Sequence, residues 1–295
     1  MKILITGSNG LLGQKIVKQC LAKNIDFLAS SQGENRNSSC SIENYRSLDI
    51  TSLAEIKTIV EREKPTHIIN TAAVTNVDFC ESNQDLCHAV NVTAVAHLLE
   101  VATENNCHLT HLSTDFVFDG EDGPYSEEDL INPLSVYAVS KANSEKLLQE
   151  SDYKNWSILR TIIVFGEGEN LSRSNIVLWA KAALEKGDPL TIVDDQFRAP
   201  TWADDLAWAC IQSSKQSAKG IFHIAGPETF SIIELVKRVA KFYNLNAAEV
   251  SAIKSKALNQ AAKRPPKTGF DISKARKVLG YNPKTFEQAL ACLNN

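Results

Sequence analysis

The chain contains no Cys-x-x-Cys pair, no His-Glu-x-x-His and no Gly-x-Ser-x-Gly. These absences argue against a zinc site, a zinc-dependent protease and a serine hydrolase. Its seven cysteines (Cys20, Cys40, Cys80, Cys87, Cys107, Cys210 and Cys292) are odd in number and scattered, which reads as free thiols in a reducing compartment rather than a disulfide framework. His108 and His111 stand three apart in an expected strand, so alternation sends them to opposite faces and disfavours a shared metal. No basic block is present and the formal net charge is -4, which disfavours nucleic acid or an anionic membrane as partner. No apolar run approaches the ~18 residues of a membrane span. Met1–Gly7 opens directly as a strand, without the layout of a signal peptide. The expectation is a soluble cytoplasmic protein with no metal, no membrane and no nucleic acid.

What the chain does contain is core and alternation. Of its 295 residues 43% are hydrophobic, enough for one large domain or two coupled ones. Short apolar runs alternate with helical patterns through the first half. Strands are expected at 2–6, 25–29, 67–71, 108–113 and 156–160, and helices at 11–22, 52–63, 84–104 and 135–150. Ser52 with Glu55 three residues on reads as a capping box. Nearly continuous apolar strands crossed over by helices predict a parallel sheet covered on both faces. The second half is less regular. Helices are expected at 175–186, 201–213, 232–242 and 273–279, and strands at 190–193 and 221–224.

Between the first strand and first helix lies Gly7-Ser8-Asn9-Gly10-Leu11-Leu12-Gly13. Strand, glycines, helix is the context of a dinucleotide site. Gly7 permits the tight turn, Gly10 lets a pyrophosphate approach the backbone, and Gly13 lets helix and strand pack closely. Asn9, Leu11 and Leu12 complete the turn, whose helix start offers free N–H groups to phosphate. The predicted fold is therefore α/β: a Rossmann-type doubly wound sheet over 1–168, with 190–225 returning to it in part. A smaller mixed substrate-binding region covers 169–295, across a soft boundary. The second strand ends Leu28-Ala29-Ser30-Ser31 without the acid that usually takes the ribose hydroxyls of NAD. Ser30, Ser31 and Arg36 are placed to receive a 2′-phosphate, so NADP(H) is favoured over NAD(H). Ala72 and Ala73, small residues after the third strand of the early run, leave room for ribose and nicotinamide.

Tyr137 and Lys141 stand at i and i+4 of one helix. A phenol near pKa ~10 is a poor acid or base at neutral pH, and a neighbouring ammonium lowers that value. Tyr137 is then the proton donor to a carbonyl oxygen. Thr114 ends an apolar strand, where open α/β sheets bind ligands, and its hydroxyl can polarise the carbonyl; Ser113 is the rival.

With these motifs the chain resembles the short-chain dehydrogenase/reductase superfamily in its extended branch. The run Ser113–Gly120, then Gly123-Pro124-Tyr125-Ser126-Glu127, Asn132-Pro133, Tyr137-x-x-x-Lys141, Arg198–Leu206 and Arg264-Pro265 is similar to the dTDP-4-dehydrorhamnose reductase family across nearly the whole chain. The resemblance implies reduction of the 4-keto group of a nucleotide-linked deoxysugar, with Thr114, Tyr137 and Lys141 catalytic. It implies adenine contact at Asp49 and Ile50, a supporting role for Asn91, and substrate contacts at Val74, Thr114 and Phe116. It also favours a diphosphate contact at Arg264. Phe116 stands where family members usually carry Tyr, and Ile163 where they carry Trp. Both departures lie at the sugar and leave its identity open. Six acids in 119–129 read as a solvated loop rather than a metal site. Two other readings stay open: an epimerase or dehydratase that retains NAD, and a non-catalytic subunit like the regulatory beta subunit of methionine adenosyltransferase. Finally, Val90, Val95, Leu98, Leu99 and Val101, with Val136, Val139, Leu147 and Leu148, give two helices apolar residues beyond one stripe. That pattern predicts a homodimer through a four-helix bundle.

Overall fold

Seven parallel strands form the centre of the computed structural model, which describes residues 1–293. They are β1 (Lys2–Thr6), β2 (Asp26–Ser31), β3 (Tyr45–Ser47), β4 (His67–Asn70), β5 (His108–Thr114), β6 (Trp156–Thr161) and β11 (Gly220–Ile224). The spatial order is β11-β6-β5-β4-β1-β2-β3. Strand order reverses beside β1, and the crevice at the carboxyl ends of β1 and β4 is where such sheets take ligands. β1 is in register with both neighbours, Thr6 lying between Ser30 and Asn70. Its Ile3, Leu4 and Ile5 are fully buried, as a strand covered on both faces requires.

Helices α1 (Leu11–Ala22) and α8 (Ala203–Lys215) cover one face, packing Ile16, Val17, Leu206 and Cys210 on Ile3, Ile5 and Leu159. The other face carries α2 (Leu53–Glu63), α5 (Ala94–Glu104) and α6 (Val136–Glu150), whose Ile56, Leu98 and Leu148 meet Leu4, Ile68 and Leu109. Short helices α3 (Val77–Ser82) and α4 (Gln84–His88) precede α5, and Ala89–Thr93 makes a π-helical turn between α4 and α5. Gln84–Glu104 thus runs as 21 helical residues, with a window of mean hydropathy 1.3. By length and composition it could cross a membrane, yet Val95, Leu98 and Val101 lie against the sheet, as in a core helix.

A second core follows β7 (Val164–Phe165). It is built on α7 (Ile176–Lys186), β8 (Leu190–Val193), α9 (Ile232–Phe242), β13 (Val250–Ile253) and α11 (Phe286–Ala291). In α9, Ile232, Leu235, Val236 and Val239 recur at helical spacing and are all buried there. Short strands β9 (Phe197–Arg198), β10 (Thr201–Trp202) and β12 (Phe230–Ser231), with α10 (Ser273–Leu279), complete the fold. Within 190–225, β8 pairs with β13 of this second core, while α8 and β11 join the first sheet.

Three local expectations are corrected. Ser52 Oγ accepts from Glu55 N at 3.4 Å, but Glu55 Oε2 accepts from Asp49 N at 3.0 Å, so the reciprocal half of the capping box is absent. The helix expected at 201–213 starts only at Ala203, because Thr201 and Trp202 pair with β7. The second apolar face of the long helices is narrower than expected. Val95, Leu98, Val101 and Leu148 are buried within the chain, and Val139 is the exposed one at 42%.

Candidate active site

A cavity of about 640 Å³ opens at the carboxyl ends of the strands, running from the glycine turn to α6. Gly7 has φ +72°, and a Cβ there would lie 2.6 Å from Ala72 N, so both conformation and the approach of the β4 loop demand glycine. A Cβ on Gly13 would come within 2.5 Å of Gly7 O and Ser8 Cα. The close packing expected of Gly13 is thus against the turn itself rather than the strand. Asn9 holds the turn to the β2 end: its Nδ2 donates to Glu34 O (2.8 Å), its Oδ1 accepts from Arg36 N (2.9 Å), and its N–H donates to Ser31 Oγ (3.0 Å).

Asn9, Gly10, Leu11, Leu12, Gly13, Arg36, Ala73, Thr114, Phe116, Tyr137 and Lys141 all line this cavity. The other candidates are placed elsewhere. Ser30 is buried and donates to Ile5 O (3.2 Å), so its hydroxyl is spent beneath the turn. Asp49 Oδ1 accepts from Thr51 N (2.9 Å) and Thr51 Oγ1 (2.7 Å), shaping the approach to α2, and Ile50 is buried in the core. Ala72 packs against that core, and its N–H donates to Asn70 Oδ1. Arg264, expected at a diphosphate, is committed to Asp78 on α3, with Nη2–Oδ2 at 2.6 Å. The turn beside it is held by Arg198, whose Nη2 donates to Pro265 O (2.7 Å) and Nη1 to Pro266 O (3.2 Å).

Asn91 lies in the π-helical turn, a distortion that recurs at functional sites. Its Oδ1 accepts from Val74 N (2.8 Å), and its Nδ2 donates to Val74 O (3.0 Å) and Ser140 Oγ (3.0 Å). One buried amide therefore ties the β4 loop, with Val74, to α6 beside Lys141.

Thr114 and Ser113 separate as strand alternation requires. Ser113 Oγ donates to Glu145 Oε1 at 2.5 Å. Thr114 Oγ1 accepts from Phe116 N (3.2 Å), meets Asp115 Oδ1 (3.1 Å), and hydrogen-bonds the Tyr137 phenol. Burial raises the pKa of Tyr137 above the ordinary phenol value, and the Thr114 hydrogen bond pulls it back. The expected lowering by Lys141 is not found, and burial moves the phenol the other way. Lys141 is itself brought down to about 8 by burial, against the pull of Glu145, and its Nζ lies 3.2 Å from His111 Nε2. Burial also raises the Asp115 carboxyl, opposed by Arg198 at 3.6 Å and a hydrogen bond from Thr268.

Arg173, not anticipated from sequence, lines the cavity and donates to Thr75 Oγ1 at 2.7 Å. It sits in a polar loop whose residues carry no periodic signal. Phe116 and Ile163 both line the cavity, so the two departures from the family pattern fall on its wall. Ile163 has φ +30°, rare for a β-branched residue, while Thr201 N donates to both Ile162 O and Ile163 O at 3.1 Å. Among the described residues, no group of three or more His, Cys, Asp or Glu could hold a metal ion. In 119–129, Asp119 instead accepts from Tyr125 Oη (2.9 Å) and Asn132 Nδ2 (3.0 Å).

A family model described as RmlD substrate binding domain matches residues 1–295. A dTDP-4-dehydrorhamnose reductase of Aggregatibacter actinomycetemcomitans is 34% identical over 301 residues, covering 98% of this chain and 97% of that protein. Methionine adenosyltransferase 2 subunit beta of Xenopus laevis is 28% identical over 289 residues, 96% of this chain and 84% of that one. Among solved structures, a dTDP-4-dehydrorhamnose reductase from Clostridium acetobutylicum superposes with TM-score 0.87 at 28% identity, over 99% of this chain and 98% of the other.

Proposed function

The chain belongs to the RmlD substrate binding domain family, and from that premise we propose that it is an NAD(P)H-dependent oxidoreductase of the dTDP-4-dehydrorhamnose reductase type, reducing the 4-keto group of a nucleotide-linked deoxysugar. The observation that carries this reading is one cavity holding Thr114, Tyr137 and Lys141 at one end and the glycine turn at the other. The turn fits a dinucleotide: the space a Cβ would fill is closed at Gly7 and Gly13, while a Cβ at Gly10 would meet only Gly7 O, at 3.3 Å. Asn9–Gly13 and Arg36 would hold the cofactor. When bound there, a reduced nicotinamide supplies the hydride for the carbonyl carbon. The chain supplies the rest. Tyr137, kept protonated at neutral pH by burial, gives its proton to the carbonyl oxygen. Thr114 orients that oxygen, and Lys141 presents its N–H groups to the cavity. Loss of nicotinamide absorbance on mixing NADPH, protein and dTDP-4-dehydrorhamnose tests the reading; no turnover across dTDP- and UDP-linked 4-ketosugars would overturn it. The beta-subunit relatives support a second reading, a non-catalytic partner subunit, which requires that same lack of turnover.

NADP(H) is our proposed preference, through Arg36 and Ser31. Ser31→Asp keeps an acceptor for Asn9 N and adds a negative charge. One like-charge pair near 4 Å costs ~1 to 4 kcal/mol between water and a protein surface, so the ratio of NADPH to NADH affinity should fall at least about fivefold. Cofactor titration of both proteins measures it. A strong NADH preference in the unaltered protein would refute this reading of the β2 end.

We further take 1–168 with α8 and β11 as the cofactor-binding unit and the remaining later elements as the substrate-binding region. The seven free thiols support a reducing, cytoplasmic setting. A homodimer through α5 and α6 is supported by exposed Val139 beside partly buried Val136, Leu147 and Leu99. Light scattering should give twice the 32.5 kDa chain mass. Val139→Glu should return it to the single-chain mass, because the interface would desolvate an unpaired charge. A single-chain mass for the unaltered protein would reject the dimer.

A further inference from the structure

His111 lies in β5 against Lys141, and both side chains are buried. The hydrogen bonds around it decide which ring nitrogen carries the hydrogen. Asn70 Oδ1 accepts from Thr6 Oγ1 (2.6 Å) and from Ala72 N (3.2 Å). A backbone N–H is only a donor, so the amide oxygen must face Ala72 and the NH₂ must face the other way. Asn70 Nδ2 therefore donates to His111 Nδ1 at 3.2 Å. A neutral imidazole has one N–H. With Nδ1 accepting, the hydrogen is on Nε2, which donates to Ser144 Oγ (3.0 Å), while the Ser144 hydroxyl donates to Lys141 O (2.7 Å).

An Nε2 that carries hydrogen has no in-plane lone pair to offer an ammonium. At 3.2 Å, a charged Lys141 meets N–H with N–H, whereas a neutral amine can share the Nε2–H with Ser144 Oγ. Among the described residues, the groups facing Lys141 are Tyr137 and Glu145 on α6, Cys87 on α4 and His111 on β5. Glu145, and less strongly Cys87, favour the ammonium by charge, and the Glu145 carboxylate is already taken by Ser113 and by Arg160 of β6.

We propose that His111, locked by Asn70 in the Nε2–H tautomer, is a positioning residue that denies Lys141 an anchor on the strand side and turns its ammonium into the cavity. Burial acts in the same direction, holding the imidazole neutral and bringing Lys141 down to about 8. The kinetic consequence rests on the ketoreductase reading; the lock does not.

Asn70→Asp tests it with almost no change of shape. A carboxylate still accepts from Thr6 and Ala72 but cannot donate, so Nδ1 must carry the hydrogen and Nε2 becomes an acceptor for the ammonium. Long-range ¹H–¹⁵N correlation of imidazole-labelled protein, assigned with His111→Gln, should show the Nε2–H pattern in the unaltered protein and Nδ1–H or a charged ring in Asn70→Asp. The alkaline limb of the pH–rate profile should move up by about one unit or more. The Michaelis constant for the cofactor should rise; a buried carboxylate also costs stability, so the comparison at matched melting temperature is made with the uncharged His111→Gln. His111→Gln, whose amide oxygen offers the ammonium an acceptor, should move the limb the same way. An Nδ1–H or charged His111 in the unaltered protein would overturn the proposal, as would an unmoved alkaline limb in both variants. The tautomer measurement needs no substrate, so it decides the lock even if no nucleotide sugar is reduced, a result that would sink the functional reading alone.

Discussion

Replacing Tyr137 with Phe is expected to lower ketosugar turnover by about 10²–10⁴-fold, the usual contribution of a positioned acid, while leaving the fold intact. The ring supplies packing: Tyr137 clusters with Cys80 and Cys87, and Phe116 meets its edge at 6.1 Å between centroids. Phenylalanine keeps every one of those apolar contacts. Loss of the phenol orphans nothing, because Thr114 Oγ1 retains Phe116 N and Asp115 as partners. The melting temperature should therefore stay within a few degrees. Burial raises the phenol above its ordinary value, so at neutral pH the donor is already loaded with the proton that reduction consumes. Stopped-flow turnover beside thermal melting checks both halves; turnover near that of the unaltered protein would remove Tyr137 from the chemistry.

The parts of this site that could be read from sequence are those whose spacing is local. Tyr137 and Lys141 share a helical face by being four apart, and the glycines of 7–13 are adjacent to strand and helix. Where a side chain's partner is distant, sequence misled. Arg264 meets Asp78 across 186 positions, and no pattern in either segment announces the pair. Strand position alone places Ser30 at a phosphate, yet the same alternation that brings Ser31 to Asn9 turns Ser30 inward to Ile5 O. The surplus apolar residues of α5 and α6 point only in part to a partner, with Val139 of α6 the exposed one. In the fold α5 lies between α2 and α6, so its flanks are buried by neighbours on the same layer. His111 could be weighed from sequence only as a metal ligand; its relation to Lys141 exists only once β5 lies beneath α6.

The second large effect concerns stability. Arg160→Met should destabilise the protein by about 3–5 kcal/mol, the cost of leaving a buried charge without its partner. Arg160 and Glu145 are 2% and 0% exposed at their side chains, and Nη2–Oε2 is 2.7 Å with Nε also donating to Oε1 at 3.0 Å. Arg160 Nη1 further donates to His223 Nε2 at 3.3 Å, and burial keeps that imidazole uncharged, its pKa near 3, so it can accept. The guanidinium lies 5.0 Å from the Phe118 ring centroid. One cation thus ties α6, β6, β11 and the loop after β5, and methionine replaces its stem while leaving Glu145 with Ser113 alone. Adding Glu145→Met to the same chain should recover much of the loss, because the uncompensated carboxylate is then gone and two flexible apolar side chains fill the space. Denaturant unfolding of both single variants and the double variant measures the coupling. Equal stability of Arg160→Met and the double variant would mean that packing around the guanidinium, rather than the paired charge, holds these elements together.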